Sequence, residues 1–293
     1  MLLEIFTVIA PVFVCAAIGF VWARMGVPYE TQFVTRLVSN VGFPCLIFAS
    51  LVKVDLEPAT LGIMGLAALV TTAAFGLIAF VVLPVLGFDR RTFLNSMVFA
   101  NTGNMGLPLC LFALGEEGLA LAIAYFAVNA PLFFILGPII QTGKANAKDI
   151  LKVPHIWSVG AGISVKLLGL PLPEWTLKTL TFIAGFPIPL MLITLGVSLA
   201  GLQASYLGRS AVLALMRLGM GVGVGWAAAL VFGFEGAARG VLIIECAMPA
   251  AVFNFLYAQM YDNKPNEVAG VILVSTLLTF AVLPALLWFA ING

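Results

Sequence analysis

The sequence predicts an all-α integral membrane protein with ten transmembrane helices, built as an inverted 5+5 repeat. Three observations support this prediction: the composition, the spacing of the apolar segments, and the recurrence of the same interruptions in both halves. Of the 293 residues, 62% are hydrophobic and only 9% are charged, whereas about a quarter of the residues of a soluble domain are charged. Most of the chain is therefore expected to lie in a lipid bilayer.

Ten apolar segments are long enough to cross a bilayer, which takes about 20 residues of helix. Short loops separate them. The predicted spans are 3–24, 31–52, 60–87, 91–113, 117–141, 152–170, 175–202, 209–233, 237–261 and 264–290. Residues 1–145 form the first five-helix repeat and residues 146–293 the second.

The positions of the basic residues predict the orientation. Loops after even-numbered spans hold Lys53 and Arg239, whereas those after odd-numbered spans hold Arg24, Arg90, Arg91, Lys144, Lys148, Lys152, Arg209 and Lys264. Because cytoplasmic loops carry the excess of Lys and Arg, both termini are expected on the outer side of a cell membrane. A net charge of +1 without a basic patch argues against nucleic acid as a partner.

Matching interruptions occur five spans apart. Gly42-Phe43-Pro44 in span 2 corresponds to Gly185-Phe186-Pro187 in span 7, and each proline is expected to kink its helix. Span 4 is interrupted at 101–108 and span 9 at 248–254. Because five is an odd number, the second half would cross the membrane upside down relative to the first, as in many transporters.

The two interruptions are the candidate binding site. Irregular backbone at membrane depth must be buried in protein or must line a water-filled cavity. Inverted-repeat transporters bind their substrate where two broken helices cross, and the broken ends attract anions. We expect a carboxylate to contact Asn101, Thr102, Gly103, Asn104, Met248 and Asn254, with Gly106, Pro108 and Pro249 breaking the helices. The alternative is that these amides only hold helices together, as we expect for Ser39 and Asn129.

Glu245 is the only carboxylate well inside a predicted span. An ionisable group at this depth suggests function, and Glu245 could carry a coupling proton. The alternative is that Glu245 is a structural acid paired with Arg217. Arg217 itself is expected either to snorkel or pack against other helices, or to have a functional role. No cluster of cysteine, histidine or acidic residues has metal-ligand spacing, so we expect no cofactor. The coupling ion is expected to be H⁺ or Na⁺.

These residues resemble the auxin efflux carrier family, whose bacterial members include malonate-transporter-like proteins. The most specific parts are the 101–108 run and Glu245-Cys246-Ala247-Met248-Pro249-Ala250. The resemblance implies a fold like that of bile-acid and sodium symporters, with a dimer-forming scaffold domain (spans 1, 2, 6 and 7) and a transport domain (spans 3–5 and 8–10). In plant members an asparagine in each broken helix holds the substrate carboxylate. Asn101 or Asn104 matches that role, and the spacing leaves open which.

The predicted function is secondary active transport of small mono- or dicarboxylates, such as malonate, across a bacterial inner membrane. The loop between spans 5 and 6 is only about ten residues long, unlike the long loop of many plant carriers, which argues against auxin itself. The alternative is a channel or a membrane sensor for a small anion on the same fold. An intramembrane protease would need two embedded aspartates or a Ser–His pair, and neither is present because the aspartates are peripheral and His155 opens span 6. We therefore do not expect this protein to be an enzyme.

Overall fold

The computed structural model describes residues 2–54, 56–142, 154–201 and 207–292. Within these ranges every regular element is helical, apart from one isolated backbone bridge. Two π-helical turns, Val38–Gly42 and Thr102–Gly106, interrupt the α-helices. The helices are α1 (Leu2–Arg24), α2 (Thr31–Leu37), α3 (Phe43–Lys53), α4 (Pro58–Val85), α5 (Arg90–Val98), α6 (Leu107–Thr142), α7 (Pro154–Leu167), α8 (Glu174–Ala184), α9 (Pro187–Gly201), α10 (Leu207–Phe232), α11 (Gly236–Ala247), α12 (Phe253–Met260) and α13 (Pro265–Asn292).

Six helical stretches of the described residues are long and apolar enough to cross a bilayer: Thr31–Lys53, Pro58–Val85, Thr102–Thr142, Glu174–Gly201, Leu207–Phe232 and Pro265–Ala290. This confirms an all-helical architecture suited to a membrane. Ten spans and the inverted repeat stay predictions. The predicted boundary between the repeats at residue 145, like Lys144, Lys148 and Lys152, lies outside the described residues.

The prolines of the two matching motifs occupy different positions in their helices. In predicted span 2, Pro44 lies inside the helical stretch Thr31–Lys53, shortly after its π-helical turn Val38–Gly42. Predicted span 7 is divided into α8 and α9, and Pro187 is the first residue of α9. Proline lacks the N–H that the interior of a helix needs, but the first turn of a helix leaves that N–H unpaired in any case.

Gly115 produces the turn expected between spans 4 and 5. Residues on both sides of it belong to α6, but Gly115 itself has φ 68° and ψ −160°. Only glycine adopts a positive φ without a steric cost. A single residue therefore replaces the short loop that the sequence predicted at 114–116.

Two groups of helices pack closely. In one, α1 lies against α9, and α3 lies against α7 and α8; in the other, α4, α6, α10, α11 and α13 surround the interrupted segments. The division into scaffold and transport domains stays a prediction. Around the interruptions the packing is tight, because Met97, Met105, Met248 and Phe99 are all 1% exposed or less.

Candidate functional site

The two interrupted helices meet backbone to backbone. Helix α5 ends at Val98 and α11 ends at Ala247, and beyond these points Ala100 and Ala250 form an antiparallel bridge. The Asn101 N–H donates to the Pro249 carbonyl at 2.8 Å, and the Ala251 N–H donates to the Phe99 carbonyl at 3.1 Å. Each interruption therefore satisfies backbone groups of the other, which lipid could not do.

Asn101 and Asn254 both lie at this crossing, and their side-chain amides differ in their hydrogen bonds. The Asn254 Nδ2 donates to the Phe99 carbonyl at 3.2 Å and thereby joins the two segments. Asn101 is only 4% exposed, yet its Nδ2 has no hydrogen-bond partner among the described residues. A buried donor without a partner is costly. The Asn101 amide is therefore a ready donor for an anion that enters the site.

A cavity adjoins the crossing. Its empty space, including the open mouth, is about 560 Å³, and Asn101, Thr102, Gly103 and Asn104 form one wall. The Phe43 and Phe126 rings stack in another wall, with centroids 5.2 Å apart. The remaining lining residues are Ser39, Phe99, Ala100, Asn129, Ala130, Phe133, Ala251 and Phe253. No described charged side chain lines this cavity, which is a largely aromatic space with amides at one side.

Asn104 lies at a junction between cavities. It lines the 560 Å³ cavity, a small one of about 290 Å³, and a larger one of about 900 Å³ between α2, α9 and the second interruption. Phe253 also lines all three cavities. Asn101 and Asn104 are therefore distinct in position, the first at the crossing and the second where the cavities adjoin.

Some predicted site residues lie outside the cavity wall. Met248 is fully buried in the core, and Asn254 contacts backbone. Conversely, Ser39 and Asn129, which the sequence assigned to helix packing, line the cavity. The Asn129 Nδ2 does bond another helix, donating to Thr72 Oγ1 at 3.1 Å, so this residue has both roles. The phenylalanines of the wall carried no sequence signal, because apolar residues in apolar spans are expected everywhere.

Glu245 lies where the two interruptions pack together. It is fully buried, and its carboxyl lies so close to the Gly106 backbone that a Cβ atom at Gly106 would overlap it. The Cys110 Sγ donates to Oε1 at 3.8 Å, while Oε2 has no partner among the described residues. Glu245, on the second broken helix, thus contacts Gly106, which lies in the π-helical turn of the first broken helix.

Arg217 of α10 is also fully buried, so it does not snorkel. The alternative that Glu245 is paired with it is wrong, because the Arg217 Nη2 donates instead to the Cys246 carbonyl at 3.1 Å. The guanidinium carbon lies 4.7 Å from the centroid of the Phe75 ring, within the range of a cation–π contact. Its Nε and Nη1 have no partner among the described residues.

Polar side chains connect the interrupted helices at one end of the bundle. Asp89 caps α5, since its Oδ2 accepts from the Thr92 N–H at 2.8 Å and from the Thr92 hydroxyl at 2.7 Å. Partial burial works to raise the pKa of Asp89, but the bonds from Thr92 and the charge of Lys264 outweigh it and hold that pKa below 3.8. The Thr92 hydroxyl also lies within hydrogen-bond distance of Asn263 Oδ1, at 2.8 Å, and the Asn263 Nδ2 donates to Gln141 Oε1 of α6 at 2.8 Å. These bonds fasten the start of α5 to the loop between α12 and α13.

A family whose sequence profile is described as membrane transport protein matches residues 4–151 and 138–289. This chain belongs to the membrane transport protein family. Its resemblance to auxin efflux carrier-like proteins is thereby confirmed.

Two archaeal relatives of this membrane transport protein have also been found. It is 28% identical over 296 residues to an uncharacterized transporter of Methanothermobacter thermautotrophicus, covering 94% of this chain and 95% of the relative. It is 27% identical over 201 residues to an uncharacterized transporter of Methanocaldococcus jannaschii, covering 65% of each chain. Both relatives carry the description of a transporter and no named substrate.

Proposed function

We propose that this membrane transport protein is a secondary active transporter of small organic anions, with its substrate carboxylate held at the crossing. The observation that carries the proposal is the buried Nδ2 of Asn101, which lies beside the 560 Å³ cavity and has no partner in the part of the chain that the structure describes. Amide donors bind a carboxylate without the desolvation cost of a buried cation. The first turn after the interruption adds backbone N–H groups that have no partner within the helix.

The lining favours an anion with one carboxylate and an apolar body. Five phenylalanine rings face the cavity and no described charged side chain does: Phe43, Phe99, Phe126, Phe133 and Phe253. A second carboxylate would lose its hydration among these rings without gaining a partner. Monocarboxylates are therefore the first candidates, and malonate and other dicarboxylates the second.

Transport by alternating access is supported by the arrangement of the cavities. Asn104 and Phe253 separate the 560 Å³ cavity from the 900 Å³ cavity. Movement of the interrupted helices against α2 and α9 would open one cavity as it closes the other. In this proposal spans 1, 2, 6 and 7 stay fixed and form the homodimer contact. Both termini lie on the outer side of the bacterial inner membrane, as the loop charges predict.

Glu245 is the proposed coupling site, with H⁺ favoured over Na⁺. Its one hydrogen bond among the described residues comes from the Cys110 thiol. Sulfur is a poor ligand for a hard cation such as Na⁺, whereas the free Oε2 can bind a proton.

Counterflow in proteoliposomes tests the proposal. Vesicles loaded with unlabelled benzoate or malonate are diluted into the labelled anion, and protein-free vesicles correct for passive permeation. A carrier gives transient accumulation of label, larger for benzoate, and Asn101→Ala removes it. The matched control is Asn40→Ala, because Asn40 is exposed in the neighbouring π-helical turn. Flux without accumulation would favour the channel, and absence of flux with both anions would contradict the proposed substrate class.

A further inference from the structure

We propose that a pocket at one end of the bundle binds the phosphate of an anionic phospholipid. The pocket lies where α4, α5 and α6 meet, and its empty space, including the open mouth, is about 780 Å³. Two consecutive arginines of α5, Arg90 and Arg91, line it together with Phe80 of α4 and Gln141 of α6. This inference goes beyond the proposed function, because the pocket shares no lining residue with the 560 Å³ cavity.

Backbone carbonyls hold the two guanidinium groups in position. The Arg90 Nε donates to the Phe80 carbonyl at 2.6 Å, and the Arg91 Nε donates to the Gln141 carbonyl at 2.6 Å. The Arg90 guanidinium carbon also lies 3.8 Å from the centroid of the Phe80 ring, which is a cation–π contact. Each of these hydrogen bonds uses Nε alone, so the Nη groups stay available to a ligand. Groups that are held before the ligand arrives lose less entropy when it binds.

The two positive charges have no acidic partner among the described residues. Neither arginine forms a salt bridge with a described acid, and no described carboxylate lines the pocket. The acid that precedes them, Asp89, caps α5 by accepting from the N–H and the hydroxyl of Thr92. Planar guanidinium groups present pairs of N–H donors that match the oxygens of a phosphate. The pocket therefore has the charge and the donors that a phosphate needs.

The apolar surroundings favour a lipid over a free anion. Leu77, Phe80 and Val81 are exposed on α4, one of the helices that are long and apolar enough to cross a bilayer. The loop charges predict that the arginines lie at the cytoplasmic surface, where anionic lipids are enriched and where basic pockets between helices bind lipid headgroups. A lipid with its phosphate on the arginines would lay its acyl chains along these apolar side chains.

Such a lipid would fasten three helices at one point. Arg90 and Arg91 belong to α5, and their hydrogen bonds reach α4 and α6 respectively. A phosphate bound by both guanidinium groups would also relieve the repulsion between the two like charges. Helix α5 ends at the first interruption. The lipid would therefore stabilise the start of the helix that leads to the crossing.

Native mass spectrometry of the full chain in detergent measures this binding. Phosphatidylglycerol is titrated into the protein, and zwitterionic phosphatidylcholine, which should bind more weakly, is the comparison lipid. Arg90→Gln and Arg91→Gln should each weaken the binding of the first phosphatidylglycerol roughly fivefold, and the double variant roughly thirtyfold. The matched control is Arg24→Gln, which removes an exposed arginine that also lies over a phenylalanine ring, at the end of α1. Equal affinity of the wild type and the double variant would overturn the proposal.

Two further arms separate a defined lipid site from other kinds of binding. Inorganic phosphate should not displace phosphatidylglycerol, because it has no acyl chains to contact α4. Displacement at equal concentration would overturn the lipid assignment and make the pocket a site for a free anion. Replacing both arginines by lysine keeps the charges but removes the Nε bonds and the planar fork, so binding should again weaken. Wild-type affinity in this lysine variant would overturn the defined site, since charge alone would then suffice.

A measurement on the wild type does not depend on the folding of a variant. Hydrogen–deuterium exchange is compared between nanodiscs of phosphatidylcholine with and without phosphatidylglycerol. Amides at the start of α5 and the end of α6 should exchange more slowly with phosphatidylglycerol, whereas those of α8 should not change. Equal exchange in both membranes would overturn the proposal. Because none of these readouts involves the transported anion, their failure would leave the proposed function standing.

Discussion

The carboxyl of Glu245 rests on the backbone of Gly106, in the space that a side chain at that position would occupy. The acid belongs to the second interrupted helix and the glycine to the turn that follows the first interruption. A proton-binding group at this contact would be sensitive to a relative shift of the two segments, because it is fully buried against the backbone of the other segment.

Gly106→Ala should displace the Glu245 carboxyl and impair both stability and anion binding. Overpacking of this kind costs about 1–3 kcal/mol of unfolding free energy, measurable as a lower Tm of the purified protein. The matched control is Gly219→Ala on α10, where a Cβ meets nothing within 4 Å and alanine improves helix propensity by about 1 kcal/mol. Equal Tm values for Gly106→Ala and wild type would show that the contact is looser than described.

Asn101→Ala should weaken benzoate binding with little change in Tm. The Asn101 Nδ2 has no partner to lose within residues 2–54, 56–142, 154–201 and 207–292, whereas a hydrogen bond to a charged ligand contributes about 1.5–3 kcal/mol. A fall in affinity of at least about tenfold is expected by calorimetry. Asn254→Ala is the contrasting variant: it loses the bond to the Phe99 carbonyl and should mainly lower stability, by about 1 kcal/mol.

Asn104→Ala should reduce the transport rate more than the affinity. Asn104 lies where three cavities adjoin, so its loss alters the passage between them, not the donor at the crossing. Counterflow rates compared with benzoate affinity measure the difference. If affinity falls as far as it does in Asn101→Ala, both asparagines hold the carboxylate.

Glu245→Gln should retain benzoate exchange and lose the response to a pH gradient. Glutamine has the shape of the protonated acid and cannot release a proton. Exchange and gradient-driven uptake are measured in the same proteoliposomes. An unchanged response to the gradient would make Glu245 a structural residue.

Asp89→Ala should destabilise the protein at neutral pH by about 1 kcal/mol, the usual value of an N-cap. The lowered pKa of Asp89 means that its stabilising effect is present above its ordinary value of 3.8 and is lost as the pH falls through the lower folded value. The difference in Tm between wild type and Asp89→Ala should therefore shrink in acid. Asp89→Ser retains a cap without a titrating group, so its Tm difference from Asp89→Ala should not change over the same range.

The sequence predicted the helical membrane fold because apolar composition and turn residues are local properties. It located the interruption at 101–108 because glycine, proline and amides rarely share a lipid-facing helix. It could not show that Ala100 pairs with Ala250, since a backbone bridge involves no distinctive side chain. It also located the second interruption at 248–254, where α11 ends at Ala247 and α12 begins at Phe253.

The environment of Arg217 was the part that the sequence described least well. Its position, roughly three turns into α10, is compatible with snorkelling, with pairing to Glu245, or with a separate role. Only the packing of α10 against α11 and α4 decides between them, because it places the guanidinium between the Cys246 carbonyl and the Phe75 ring. Such distant packing leaves no periodic signal along the chain.

The bond between the Asn101 N–H and the Pro249 carbonyl also has a consequence for biogenesis. The acceptor is made roughly 150 residues after the donor, and at about 5–20 residues per second this delay is roughly 7–30 s. During that time the first interruption has no partner for its unwound backbone, and lipid supplies none. We infer that a newly inserted first half is held by the insertion machinery, or by water, until the segment that carries Pro249 is inserted beside it.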